Sequence, residues 1–161
     1  MTSIPIATVG FVLTYRQARK AKDAAEAAEE ATTRSTENIS RASLLVLIPQ
    51  MQRVEEELEQ AVREKSIDLT ISWLSTWRWQ AGQARGFLNT SNADELQLLD
   101  DLQTSVTAAR NAKSRLIETG APDVVKSTKQ ALQAIGRVTG ELGSLAASYG
   151  MQLGGATNGR G

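Results

Sequence analysis

Three tryptophans, Trp73, Trp77 and Trp79, fall within seven residues of one another beside Arg78 and Arg85. Indole and guanidinium groups dominate protein contact hot spots, and the same pair of groups stacks a nucleotide base through cation-π contact. At helical spacing Trp73 and Trp77 share one face and Trp79 points elsewhere. The first two read as core residues, so the chemistry open to this cluster turns on Trp79.

Acid-base and metal chemistry find less support. Carboxylates gather at Glu55, Glu57 and Glu59 and again at Asp94, Glu95, Asp100 and Asp101. Such runs beside an apolar stripe are solvated helix faces, and no Glu-x-x-His motif accompanies them. Cysteine and histidine are both absent from the sequence. That removes Ser-His-Asp and Cys-His nucleophiles, zinc sites built on imidazole or thiolate, and disulfides. No P-loop, dinucleotide-binding glycine pattern or Ser-x-x-Lys nucleophile occurs. The expectation is a chain without a catalytic site, cofactor or metal.

The elements that would position the tryptophans are helices. Hydrophobic residues make up 41% of the 161-residue chain, aromatics only 4%, and there are three prolines. Ala, Leu, Gln and Glu dominate what remains, a composition that favours helix over sheet. Eighteen Lys and Arg balance eighteen Asp and Glu, so no net field draws the chain toward nucleic acid.

Charge is placed locally instead. Ile4 to Tyr15 is an uncharged apolar stretch, followed at once by Arg16, Arg19, Lys20 and Lys22. A secretory signal has its basic residues before the apolar segment, so this order is the reverse of one. The pattern predicts a membrane anchor over 1–15, single-pass or interfacial, with the following chain on the cytoplasmic side. A helix from Thr2 to Tyr15 spans about 21 Å against a hydrocarbon core of roughly 30 Å, which is short for a full crossing. The competing reading is an apolar first helix packed in the core.

Residues 16–43 read as an Ala- and Glu-rich helical stalk. Ala18, Ala21, Ala25, Ala28, Thr32, Ser35, Ile39 and Ala42 alternate in spacings of three and four, the pattern of a heptad seam. Its small residues bury little area per turn, so weak homo-oligomerisation is the most the seam supports. Asp23, Glu26, Glu29 and Glu30 follow the basic block and place negative charge farther from the anchor.

A bundle of about four antiparallel helices is expected over 44–153, with 154–161 as a disordered tail. Its first stripe runs Leu44, Leu47 or Ile48, Met51, Val54, Leu58 and Ala61 or Val62, and it crosses Pro49 without losing phase. Asp68 is expected to cap the second helix, and Asn92 with Glu95 has the spacing of a capping box for the third. The third stripe is expected at Leu96 or Leu99, Leu102, Val106, Ala109, Lys113 and Leu116, ending at Gly120. Pro122 and Asp123 open the fourth helix, whose stripe includes Thr128, Ile135, Val138, Leu142 and Tyr149. Gly136, Gly140, Ser144 and Ala147 form a small-residue row, expected to pack against a bulky neighbour such as the tryptophan-bearing helix, with a binding groove as the alternative reading.

Anchor, stalk and bundle together resemble the layout of bacterial membrane-tethered accessory proteins, an analogy of architecture that transfers no residue roles. The function expected is an adaptor or scaffold that binds a protein partner on the cytoplasmic face of the cell membrane. The alternative expectation is a ligand-responsive sensor, whose bundle binds a small molecule such as a nucleotide and signals to the membrane segment.

Overall fold

In a computed structural model the backbone is described for residues 5–118 and 123–157, and the side chains for 19–118 and 123–150. The side chains of the expected anchor, Gly120, Pro122 and most of the expected tail lie outside those ranges. The described chain is all-helical, with four helices and no strand among the described residues. These are α1 (Pro5–Arg63), α2 (Ile67–Phe87), α3 (Ala93–Glu118) and α4 (Val124–Thr157). Among the described residues no helix is long and apolar enough to cross a membrane.

The chain divides into two units, 1–39 and 40–161. In the first, every described side chain from Arg19 to Thr36 is exposed. Lys22 pairs with Glu26 at 3.7 Å and Arg34 pairs with Glu30, both across one turn. Thr32, Thr33 and Thr36 return their hydroxyls to carbonyls four residues back, which satisfies them within the helix. This part of α1 is held by local interactions of a few tenths of a kcal/mol each.

In the second unit, residues 40–63 of α1 pack with α2, α3 and α4 into an antiparallel helical bundle. The direction of each pair follows from contacts whose residue numbers run oppositely: Arg85 with Gln103 and Ser75 with Lys113 for α2 and α3, Glu95 with Tyr149 and Asp101 with Arg137 for α3 and α4. Short connections between consecutive helices impose this arrangement. The α1 stripe is buried as its period dictates, from Leu44 through Met51, Val54 and Leu58 to Val62, while Val46 faces solvent. Pro49 sits inside α1 at an exposed position and does not end the helix. Leu58, Leu102, Ile135 and Leu142 are fully buried at the centre.

Three expectations about helix ends and stripes are corrected. Asp68 is not the cap of α2: that position is Ser66, whose side chain makes no capping bond, and Asp68 lies in the first turn, where its charge complements the helix dipole. Glu95 does not close the capping box on Asn92. Asn92 Oδ1 accepts the Asp94 N–H at 3.0 Å, but Glu95 Oε2 reaches past it to the Asn89 N–H at 2.6 Å. The α3 stripe is buried as expected at Leu102, Ala109 and Leu116 but is turned toward Leu98, Ser105 and Ala112, leaving Leu99, Val106 and Lys113 half-buried and Leu96 48% exposed. The rotation has a physical cause: Glu95, Asp101 and Ser105 are buried because other helices supply their hydrogen-bond partners, which an apolar count overlooks.

The end of α1 carries local strain. Ser66 N–H donates to Ala61 O at 3.0 Å and Lys65 N–H to Val62 O at 3.1 Å, the paired bonds of a Schellman motif. That motif places Lys65 in the left-handed region, at φ 54. A side chain there costs about 1–2 kcal/mol, partly offset in a glycine by its greater freedom when unfolded. Lys65→Gly is therefore expected to raise the unfolding free energy by about 0.5–1 kcal/mol in urea titrations. Lys65→Ala, which keeps the strain, should give no such gain, and equal effects of the two would contradict the assignment.

Candidate functional site

The tryptophan cluster resolves into three environments along α2. Trp77 is fully buried, and its indole N–H donates to Ser105 Oγ at 3.1 Å across to α3. Ser105 in turn donates to Leu102 O at 2.8 Å, so both polar groups are satisfied in the core. Trp73 is half-buried against the same core. Trp79 is 64% exposed on the outward side of the helix.

The flanking arginines do not join Trp79 in one patch. Arg85 Nη1 donates to Gln103 Oε1 on α3. Arg78 is half-buried, and its Nε lies inside without a protein hydrogen-bond partner. Beside Gln83 one turn on from Trp79, Gly82 and Gly86 follow at three and seven residues, and a Cβ built on either glycine meets nothing within 4 Å. A protruding indole thus stands on a helix face low enough for a partner's backbone to approach.

At one end of the bundle a polar junction ties the elements together. Glu95 is 3% exposed, and its carboxylate accepts the Asn89 N–H, the Asn92 side-chain amide at 3.3 Å and the Tyr149 hydroxyl at 2.9 Å. The Arg41 guanidinium lies 5.3 Å from the Tyr149 ring centroid, a cation-π distance. Burial pushes the Tyr149 phenol up to about 12, helped by the bond it donates to Glu95 and by that carboxylate's charge, against a smaller opposing effect of Arg41.

Between α3 and α4 lies a cleft of about 600 Å³, bordered by Gly136, Gly140 and Ser144 of the small-residue row, where a groove was the alternative expectation. Asp94, Gln97 and Leu98 line one wall, and Arg137, Glu141 and Ser144 the other, with Gly140 leaving open space. Behind it Asp101, 6% exposed, accepts from Gln97 Nε2 at 3.2 Å and Arg137 Nη1 at 3.5 Å. Glu141 is held above the usual carboxylate range by partial burial first, then by the charge of Asp101 and a hydrogen bond to it, with Arg137 opposing. The small-residue row does not pack against the tryptophan helix as expected. A Cβ on Gly136 would come 3.1 Å from Glu55 Oε1 of α1, while Gly140 and Ser144 border the cleft. Glu55 is held there by the Thr139 hydroxyl.

Asp101 of the second acidic run lies near Glu141 on another helix, a pairing across the fold and not along the sequence. Among the described residues no three acidic side chains stand together as a metal-holding group. Comparison of the chain with protein-family models, curated proteins and solved structures finds no match to any of them.

The junction has a signature in alkali. A phenol whose folded pKa exceeds its unfolded value stabilises the fold fully below about pH 10, and that contribution is lost as pH rises through about 12. Ultraviolet titration should show a tyrosinate phase near pH 12 that disappears in Tyr149→Phe, with wild-type melting temperature falling over the same interval. Ionisation of Tyr149 near pH 10 would contradict the buried hydrogen bond.

Proposed function

We propose that this chain is a non-catalytic adaptor, whose helical bundle binds a protein partner through the α2 face around Trp79 while residues 1–15 hold it at the cytoplasmic side of a membrane. The observation that carries the reading is the exposure of Trp79 at 64%, beside Gly82 and Gly86 with open space over both. An indole left in water beside a fully packed Trp77 has no role in the core. Desolvating it against a partner recovers the apolar area that folding leaves unburied.

The tether rests on the sequence: an apolar segment from Ile4 to Tyr15 with Arg16, Arg19, Lys20 and Lys22 on its C-terminal side alone. Lys and Arg near an apolar segment favour the side facing anionic lipid. Attachment confines the bundle to a surface and raises its effective concentration toward any partner in the same plane.

Site-specific photocrosslinking from position 79 in cells that make the protein tests both halves. The expected result is one discrete protein adduct in the membrane fraction. Trp79→Ala, introduced with the crosslinker moved to position 83, should weaken that adduct by about 30-fold in competition, the equivalent of a hot-spot loss of about 2 kcal/mol. Its melting temperature should match wild type. Deleting 1–15 should release a folded bundle from membranes. An unchanged adduct in Trp79→Ala would overturn the binding face, and a soluble intact chain that the deletion destabilises would overturn the tether.

A further inference from the structure

The cleft between α3 and α4 continues as a furrow. A second hollow of about 170 Å³ shares Arg137 with it, and a third of about 370 Å³ shares Thr104, Gln130 and Ala134 with the second. Along α3 the line runs from Asp94 to Asn111, about 26 Å at the rise of a helix. Its far half is uncharged, bordered by Thr104, Thr107, Ala108 and Ala134, and Gly140 leaves room in the near half, so a helix with small residues on one face can lie close.

Charge is graded along this line. At the α3 N-terminal end Asp94, Asp101 and Glu141 outnumber Arg137. One turn beyond the far end Arg115, Lys126 and Lys129, all exposed, outnumber Glu118 and the capping Asp123. The described part of the first unit has the opposite gradient on an exposed helix. Arg19, Lys20 and Lys22 come first and Asp23, Glu26, Glu29 and Glu30 follow, with Ala21, Ala25 and Ala28 on a single face. Arg19 to Glu30 is about 16 Å as helix and Asp101 to Arg115 about 21 Å, a difference within reach of one lysine or arginine side chain.

We infer that the furrow receives the Ala-rich helix of a second copy of this chain, running parallel to α3, with Arg19 to Lys22 over Asp94, Asp101 and Glu141. A parallel, in-register pairing of two such helices with each other would instead set basic block on basic block and acidic on acidic. Docking into the furrow opposes unlike charges at both ends and seats alanines against small residues. It also uses a surface distinct from the Trp79 face, so the adaptor reading neither requires it nor falls with it.

The test uses the full chain in mild detergent, with sedimentation velocity as the readout. Lys20→Glu with Lys22→Glu, and separately Asp94→Lys with Glu141→Lys, should each weaken dimerisation by about tenfold, and the two sets combined should restore it. Because the chain has no cysteine, Ala21→Cys in one tagged copy and Gly140→Cys in another should form a mixed disulfide between copies. Circular dichroism checks that each variant folds. Monomers at high micromolar concentration would overturn the inference. So would failure of the combined set to restore dimers, or disulfides formed only between two copies of position 21.

Discussion

The buried carboxylate of Glu95 is the constraint on which the arrangement of the helices turns. A carboxylate taken out of water costs several kcal/mol unless its lone pairs find donors. Glu95 finds them in the Asn89 N–H of the α2–α3 connection, the Asn92 side chain at the start of α3, and the Tyr149 hydroxyl near the end of α4. Each donor belongs to a different segment. The requirement to satisfy one acid therefore fixes where α2 stops, how α3 begins and how far α4 must extend. Arg41 over the Tyr149 ring adds α1 to the same junction.

Toward the other end, smaller polar contacts perform related tasks between pairs of helices. Trp77 with Ser105 sets the depth at which α2 meets α3, and Thr139 with Glu55 brings α1 against the bare backbone at Gly136. Apolar burial supplies the non-directional part of the stability, and these bonds choose among the packings it allows. A fixed bundle matters to the functional reading because Trp79 projects from the same helix that buries Trp77. Its direction in space is only as well determined as the contacts on the opposite face.

Much of this was legible in the residues. The stripe of α1 keeps a 3.6-residue period without polar interruption and that of α4 is broken only by threonines, so Leu44 to Val62 and Val124 to Tyr149 could be assigned to the core by spacing. Trp79 was separable from Trp77 because two positions on a helix differ by about 200°. The α3 stripe was legible at Leu102, Ala109 and Leu116, but its polar members were missed because Glu95, Asp101 and Ser105 count as surface residues until Tyr149, Arg137 and Trp77 are known to face them. A groove beside Gly136, Gly140 and Ser144 was legible as the second reading of that row, but its acidic lining was not. Asp101 and Glu141 lie on different helices, and the void beside them arises from missing side-chain volume at Gly140.

If the Glu95 junction has this organising role, its bonds must be energetically coupled and not merely adjacent. A double-mutant cycle on Glu95→Ala and Tyr149→Phe, measured by urea unfolding at neutral pH, reads that coupling directly. A buried hydrogen bond to a carboxylate predicts an interaction energy of about 1.5–3 kcal/mol, with the double variant losing less than the two single losses together. Losses that add to within about 0.5 kcal/mol would show the two residues acting independently and would contradict the account.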